Sequence, residues 1–368
     1  MDVIPYLKLM AEKNASDIFF CTGTEPHIKI EGNIRPVGQE KLQPGDVEKM
    51  ARGVMSDEQR DEFDATLECN FAIPLKDVGR FRVNIFRQRG EVSIVIRFIQ
   101  SVIPRISQMN LPSALENIVM EKRGLILVVG ATGSGKSTTL AAMIGHRNRN
   151  SASHILTIED PLEFIHHHEK SIVQQREVGI DTINYENALK NALREAPDVI
   201  LIGEIRDMDT MKHAINYAET GHLCLATLHA NNANQAIDRI LNFFPEVYHR
   251  QLLTDLSLNL RSIVSQRLLK SVENKSVPAV EVMNNSPYIA DLITKGNIGD
   301  IKEAMKESAD EDTITFDQAL LDLYRKGMIS LDEALHNADS KNDLGLAIRM
   351  GDGSDGNDDE DDSELILG

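Results

Sequence analysis

The segment from Gly130 to Ser137 reads GATGSGKS and restricts the possible folds of this chain more than any other stretch. It matches the pattern G-x-x-x-x-G-K-[ST], in which a glycine-rich turn between a strand and a helix surrounds a phosphate with backbone N–H groups. The flanks have the required form, because the apolar run GLILVVG precedes the turn and the helix-type stretch KSTTLAAMIGHRN follows it. Chance would produce such a match roughly 0.01 times in a chain of this length. The segment, called the phosphate loop below, therefore predicts a nucleoside-triphosphate site.

The residues of the phosphate loop have distinct predicted tasks. The glycines let the backbone approach the phosphates closely. Lys136 brings a positive charge to the β- and γ-phosphates, and the hydroxyl of Ser137 suits Mg²⁺, so the expected cofactors are ATP and Mg²⁺. The predicted nucleotide-binding residues of this segment are Gly130, Thr132, Gly133, Ser134, Gly135, Lys136, Ser137 and Thr138.

Three further apolar runs, HILTIED, DVILIGE and HLCLATLH, predict strands that are buried on both faces of a parallel sheet. Helix-type stretches lie between them, which is typical of an α/β fold. Ligands of such sheets bind beyond the carboxyl ends of the strands, and polar residues follow each run there. These residues are Glu159, Asp160 and Glu163, then Glu204, Arg206 and Asp207, then His229 and Asn231. We expect them to share one site with the phosphate loop.

Phosphoryl transfer to water requires an oriented water, a metal ion and groups that stabilise charge. A carboxylate can orient and deprotonate the water, and Glu159, Glu163 and Glu204 are the candidates; the residues alone do not rank them. We assign the metal-binding role on the third apolar strand to Glu204, which follows Gly203. The predicted metal ligands are therefore Ser137 and Glu204.

The chain divides into five predicted parts. Residues 1–100 alternate short strands with turns and indicate an α+β domain. Residues 101–112, with two prolines, form a predicted linker, 113–285 the α/β core, and 286–350 a helical part. Residues 351–368 hold eight acidic and no basic residues, which predicts a disordered tail.

Composition narrows the functional class. The net charge of −18 argues against broad contact with a nucleic-acid backbone, and the absence of Trp argues against a base-stacking surface. The three cysteines have no paired spacing, which indicates a reducing compartment and no zinc site. No apolar run approaches the length of a membrane span. We therefore expect a cytoplasmic protein, for which peripheral membrane attachment remains open.

Four segments, GATGSGKST, TIEDPLEF, DVILIGEIRD and AETGHLCLATLHANNA, resemble the Walker A motif, Asp box, Walker B motif and His box of secretion ATPases. Within that superfamily the chain is similar to the type IV pilus retraction ATPases of the PilT/PilU family over nearly its whole length. The resemblance implies a PAS-like N-terminal domain joined to a RecA-like P-loop ATPase domain. It also implies a homohexamer that powers pilin depolymerisation and twitching motility at an inner-membrane platform protein.

The resemblance further implies roles for single residues. Glu163 would be the general base, Glu204 would organise metal and water, and His229 would lie near the γ-phosphate. Three more residues complete the predicted nucleotide-binding set, namely Glu159, Arg206 and His222. For Arg206, contact with a neighbouring subunit and a local salt bridge both remain open.

Arginines of the N-terminal domain would reach the nucleotide of a neighbouring subunit, as the resemblance implies. By motif these are Arg80 or Arg82 in GRFRVN and Arg97 in VIRFI. An arginine finger contributes roughly 10³–10⁵ in rate. The alternative is that all three are ordinary surface arginines of strands.

His222 and His229 flank the run LCLATL and cannot share a metal if this run is a strand. Seven strand residues span roughly 23 Å at about 3.3 Å each, and an odd separation directs the two side chains to opposite faces. We therefore expect His229 near the nucleotide, and His222 in packing or at a subunit interface.

The altered motif YIADLI, together with the acidic segment at 351–368, favours the PilU-like branch of the family, an accessory motor beside a paralogous principal retraction ATPase. Ala131 and Ala196 replace a proline and an acidic residue, and YIADLI at 288–293 lacks the Arg and Asn of a C-terminal motif. Pilus assembly and type II secretion ATPases are the alternative. They commonly carry a further N-terminal domain or a tetracysteine zinc element, neither of which this sequence indicates. A P-loop motor that acts on nucleic acid is a more distant alternative.

Overall fold

The computed structural model describes residues 2–30, 32–99 and 101–352, so nearly all of the predicted acidic tail lies outside the described residues. The chain forms two compact units. The first consists of Met1–Arg105, Val119–Leu125 and Ser137–Thr227, and the second of Ile106–Ile118, Ile126–Lys136 and Leu228–Gly368. The domain boundaries expected from the sequence remain predictions.

The first hundred residues build a six-stranded sheet in the order β3-β2-β1-β6-β5-β4, whose neighbouring strands are all antiparallel. Phe81, Val83 and Ile85 on β5 are fully buried in the core, whereas the residues between them are only partly buried. This alternation gives the sheet one core face and one polar face. The elements are α1 (Ile4–Glu12), β1 (Asp17–Phe20), β2 (His27–Ile30), β3 (Asn33–Pro36), α2 (Asp46–Val54), α3 (Asp57–Thr66), β4 (Glu68–Leu75), β5 (Gly79–Gln88) and β6 (Glu91–Ile99).

The remaining elements alternate strands with helices and then become mostly helical. In chain order they are α4 (Ala114–Ile118), β7 (Gly124–Val129), α5 (Lys136–Asn150), β8 (His154–Glu159), β9 (Ile172–Glu177), α6 (Tyr185–Ala192), β10 (Val199–Ile202), α7 (Met208–Glu219), β11 (Leu223–Leu228), α8 (Ala233–Asn242), α9 (His249–Asn259), β12 (Leu260–Lys270), β13 (Ser276–Asn284), α10 (Pro287–Lys295), α11 (Ile301–Lys306), α12 (Phe316–Arg325), α13 (Leu331–Asn337) and α14 (Lys341–Asp352).

In the first unit, strands β11, β10, β8 and β9 are neighbours in that order and all run parallel. Every residue of β10 and β11 is buried, which confirms the strands predicted from their continuous apolar runs. Strand β9 was not predicted. It reads IVQQRE and is mostly polar, so hydrophobic pattern alone did not reveal it.

In the second unit the neighbouring strands are β13, β12 and β7, and β12 pairs antiparallel with β13. Neither β12 nor β13 was predicted, although helices from Pro287 onward were. Phe316 and Leu320 of α12 pack with Leu269 of β12 in a separate hydrophobic core. Among the described residues no helix has the length and apolar character needed to cross a membrane.

Candidate nucleotide site

The phosphate loop follows the fully buried strand β7, and three of its glycines have positive φ: Gly130 at 158°, Gly133 at 79° and Gly135 at 89°. A side chain at Gly130 would place its Cβ 2.5 Å from the backbone oxygen of Gln266, and one at Gly135 would place it 2.8 Å from Nε2 of the same residue. Gln266 on β12 therefore packs directly against the backbone of the loop at Gly130 and Gly135. It was missing from the predicted site, because more than a hundred residues separate it from the loop.

The phosphate loop contains an ammonium group and a buried hydroxyl, both of a kind that binds phosphate. The Lys136 ammonium donates to the carbonyls of Gly130 and Ala131, at 2.8 and 2.9 Å. The hydroxyl oxygen of Ser134 is buried and has no hydrogen-bond partner among the described residues. Helix α5 begins at Lys136, so its positive dipole end adds to the field at the loop. A closed backbone cradle, a cation and an unpaired hydroxyl together fit a bound phosphate group.

The other loop residues face solvent to different degrees. Thr132, Gly133 and Ser137 are exposed, whereas Thr138 is half-buried. Ser137 lies in the first turn of α5, where its hydroxyl is accessible to a metal ion.

His229 and Asn231 line an open cavity of about 400 Å³ together with Gly130 and Ala131. Both follow β11, and Asn232 then caps α8 by accepting a hydrogen bond from the N–H of Gln235 at 2.9 Å. His229 thus lies beside the phosphate loop, where it was expected.

His222 precedes β11 at its opposite end, as expected from the strand geometry. Its Nδ1 lies 3.1 Å from the hydroxyl of Thr220 and 3.2 Å from the carbonyl of Tyr217. These contacts are local to the turn between α7 and β11.

Glu281 on β13 holds the start of α8 and was not predicted. The N–H of Ala233 and the hydroxyl of Ser265 both donate to one of its carboxylate oxygens at 2.9 Å. Burial raises the pKa of Glu281 to about 7. A guanidinium nitrogen of Arg267 lies 3.4 Å from the carbonyl of Asn231, so β12 and β13 fix the segment that carries His229.

Glu159, the last residue of β8, is held by hydrogen bonds. The hydroxyl of Thr157 donates to it at 2.7 Å, and the amide of Gln175 on β9 donates at 3.4 Å. Desolvation raises the pKa of Glu159 to about 7, and the nearby charge of Glu163 adds to that rise. Glu163 itself is exposed. In the Asp box, Glu159 and Asp160 are therefore half-buried carboxylates, whereas Glu163 is accessible.

Glu204 and Arg206 form an ion pair at 2.6 Å, and Arg206 also contacts Asp160 at 3.4 Å. The hydrogen bond to Glu204 raises the pKa of the Arg206 guanidinium. Within one chain this is the local salt bridge, one of the two alternatives for Arg206. A Cβ at Gly203 would lie 2.9 Å from the Tyr185 hydroxyl oxygen, so a side chain directly before Glu204 would require Tyr185 to shift.

The three N-terminal arginines share one face of their sheet. Arg82 and Arg97 are cross-strand partners, and Arg97 is also the partner of Asp17; partners of this kind point to the same side. Arg80 is two residues from Arg82 and so faces the same way. Arg97 donates to Asp17 at 2.9 Å, which raises the pKa of Arg97, and the charge of Glu163 contributes to that rise.

Comparison with known proteins agrees with these features. The family described as "Type II/IV secretion system protein" matches residues 3–312. The chain is 52% identical to the type IV pilus ATPase PilU of Pseudomonas aeruginosa, over 96% of this chain and 93% of that protein. It is 38% identical to PilT of the same organism, a type IV pilus retraction ATPase, over 92% and 98%. The crystal structure of the pilus retraction motor PilT with bound ADP superimposes with a TM-score of 0.87 at 39% identity, covering 94% of this chain and 99% of that one.

Proposed function

The chain belongs to the type II/IV secretion system protein family, and on that premise we propose that it is an ATPase that powers type IV pilus retraction, as an accessory to a principal retraction motor. Two relatives that match it over nearly their whole length are named as type IV pilus ATPases. The observation that carries the proposal is the phosphate loop, which Gln266 encloses on one side. The loop contains Lys136 and a buried Ser134 hydroxyl that has no hydrogen-bond partner in the described part of the chain.

In this proposal each group of the site has one task. The loop N–H groups and Lys136 hold the phosphates of ATP. Ser137 and Glu204 would hold Mg²⁺ through oxygen atoms, the ligand type this ion prefers, and the ion neutralises phosphate charge when bound. Glu163 is accessible to solvent and accepts the proton of the attacking water. Glu159, at the end of β8, lies close enough for its charge to interact with that of Glu163.

Several finer features belong to the same proposal. The N-terminal sheet would be a PAS-like domain and the remainder a RecA-like ATPase domain. The chain would act as a homohexamer in the cytoplasm, at the inner-membrane base of the pilus. Its partners would be the platform protein and a paralogous retraction ATPase, with no role for nucleic acid. The strongly acidic composition supports that last point.

Substitution of Lys136 by Ala tests the proposed activity. We expect the release of phosphate from ATP to fall at least about a hundredfold, because the transferring phosphate loses its cationic anchor. Lys122→Ala, an exposed lysine just before β7, is the matched control and should leave turnover unchanged. Full turnover in the Lys136 variant would mean that the phosphate loop is not the reaction site. Strong stimulation by DNA would favour a nucleic-acid motor instead.

The accessory role is tested in cells. Retraction of pili should persist in cells that lack this protein but keep the principal motor, and should fail when the principal motor alone is removed. Retraction driven by this protein alone would contradict the accessory role and leave the ATPase proposal intact.

A further inference from the structure

Glu177, the last residue of β9, is a buried carboxylate that the proposed reaction does not use. Its side chain has no exposed surface, and neither of its carboxylate oxygens accepts a hydrogen bond from any residue that the structure describes. Burial raises the pKa of Glu177 above its ordinary value. Because an unpaired buried carboxylate is costly, its charge requires compensation from nearby cations.

The compensating charges come from Arg80 and Arg82 on β5. Nη2 of Arg80 lies 4.0 Å from one carboxylate oxygen of Glu177, and Nε of Arg82 lies 3.7 Å from the other. These distances allow ion pairing but exceed those of hydrogen bonds. The buried Nε of Arg80 also has no hydrogen-bond partner among the described residues. Charge therefore holds the two arginines at Glu177, and within the described part of the chain no hydrogen bond joins either of them to its carboxylate.

Two guanidinium groups on one carboxylate leave a net positive charge, and the Nε–H of Arg80 has no acceptor among the described residues. A phosphate group offers more acceptor oxygens and more negative charge than a carboxylate, and it binds arginine in a bidentate manner. A phosphate at this face would therefore bind the same two side chains more strongly than Glu177 does.

Glu177 lies next to the Asp box in the parallel sheet. It is the register partner of Glu159, and the N–H of Val178 donates to the carbonyl of Glu159 at 2.9 Å. The cluster thus connects the arginine face of the N-terminal sheet to the strand end that carries the catalytic carboxylates.

We propose that Glu177 is a positioning residue that retains Arg80 and Arg82 within their own subunit, in competition with the nucleotide phosphate of a neighbouring subunit. This inference rests on the proposed function, since it needs an ATPase whose subunits share their sites. When Glu177 holds both arginines, the neighbouring site lacks their charge and turns over slowly. When they leave Glu177, the neighbouring site gains that charge.

The substitution Glu177→Gln keeps the volume of the side chain and removes its charge. We expect kcat of the assembled full-length protein to rise about three- to tenfold, a small part of what an arginine finger can supply, with little change in KM for ATP. The rise should vanish in a chain that also carries Arg80→Gln and Arg82→Gln. A purely structural role of Glu177 would not produce a gain that depends on these arginines.

Glu195→Gln is the matched control, because it breaks the 2.7 Å ion pair with Arg176 on the same strand and leaves Arg80 and Arg82 untouched. Its kcat should stay unchanged. A kcat of Glu177→Gln at or below that of the parent overturns the inference, as does an equal rise without the two arginines.

If Glu177→Gln does not fold, Glu177→Asp serves instead. Aspartate keeps the negative charge, but its shorter side chain places the carboxylate farther from the two arginines. A smaller rise in kcat is expected, and no rise counts against the inference. Lys136→Ala measured alongside separates the two proposals. If Lys136→Ala loses turnover but the Glu177 variants show no rise in kcat, only this inference fails. If Lys136→Ala keeps its turnover, the proposed function fails.

Discussion

Gln266 illustrates how one side chain from a distant strand completes a glycine-rich loop. Its backbone oxygen and its amide occupy the positions where side chains at Gly130 and Gly135 would lie. Both glycines also have φ values that L-residues rarely adopt. Conformation and space therefore independently require glycine at these two positions.

One carboxyl group in each of the two compact units has an unusual environment. Glu159 and Glu281 each accept a hydrogen bond from a hydroxyl group, and burial raises the pKa of both to about 7. Their protonation therefore changes close to neutral pH, where most carboxylates are fully ionised.

Glu281→Gln should change how stability depends on pH. With a folded pKa of about 7 against the ordinary 4.5, the folded chain keeps a proton that the unfolded chain has released. The stabilisation from Glu281 is complete below about pH 4.5 and is lost as pH rises to 7, a change of about 3 kcal/mol. Glutamine accepts the same hydrogen bonds without a charge. The Tm of the variant relative to the parent should therefore rise by several degrees between pH 5 and pH 8 in calorimetry.

Glu311→Gln, an exposed carboxylate of the second unit, is the control for this measurement. Its Tm difference from the parent should not vary with pH. A constant difference for Glu281→Gln as well would show that Glu281 ionises normally in the folded protein.

The sequence of strand β9 indicates neither that it is a strand nor that its side chains contact the Asp box and the arginines of β5. Only Ile172 and Val173 are apolar in IVQQRE, yet the strand carries Gln175 and Glu177. Both side chains act through partners on other strands and loops, which a local pattern of hydrophobicity does not reveal. Polar strands of this kind are recognised only when the sheet is assembled.

Gln175→Ala should slow hydrolysis without abolishing nucleotide binding. The Gln175 amide donates to the Phe164 carbonyl at 2.9 Å and accepts from the N–H of His166 at 2.8 Å, so it holds the segment that carries Glu163. Small displacements of a catalytic group are costly in rate. We expect kcat to fall about tenfold, with KM for ATP changed less than about twofold.

Gln174→Ala, the neighbouring and exposed glutamine of β9, is the control and should leave kcat unchanged. Equal losses in both variants would point to general weakening of the strand. A fall in KM alone would contradict the positioning role of Gln175.

At the scale of the whole molecule, the question is whether the arginine face acts within one subunit or between subunits. The charge of Glu163 already influences Arg97 inside a single chain, and Arg80 and Arg82 lie at Glu177. All of these contacts lie within one chain, and the action of the arginines on a neighbouring subunit is part of the proposal. The two possibilities predict different behaviour when inactive chains are mixed.

Mixed assemblies of Arg97→Ala and Glu163→Ala chains should recover part of the ATPase activity that each variant lacks. If Arg97 serves the site of a neighbour, some mixed interfaces contain an intact arginine and an intact Glu163. Phosphate release measured against mixing ratio should then pass through a maximum. Activity that stays at the level of the separate variants at every ratio would argue that Arg97 acts within its own subunit.

A mixture of Lys136→Ala and Glu163→Ala chains is the control for this experiment. In the proposal, Lys136 and Glu163 of one chain serve the same nucleotide site. Every site in the mixture therefore lacks one of these two residues, whichever chain is its neighbour. Mixing should leave activity at the level of the separate variants.

The local sequence pattern was sufficient to predict those parts of the protein whose structure depends on residues close together along the chain. The phosphate loop, the strands β7, β8, β10 and β11, and the placement of His222 and His229 at opposite ends of β11 were all predictable in this way. Buried parallel strands leave continuous apolar runs, and glycine-rich turns leave a fixed spacing.

Long-range pairing decided the rest. Gln266 closes the phosphate loop, Glu281 holds the start of α8, and Glu177 meets Arg80 and Arg82, each across many residues of sequence. Hydrogen bonds and ion pairs act over a few ångströms, and strand register determines which distant side chains come that close. The spacing of residues along the chain does not indicate such long-range contacts. The chemistry of the phosphate loop could therefore be predicted from the sequence, whereas the residues that hold the loop and its neighbours in place could be identified only in the folded chain.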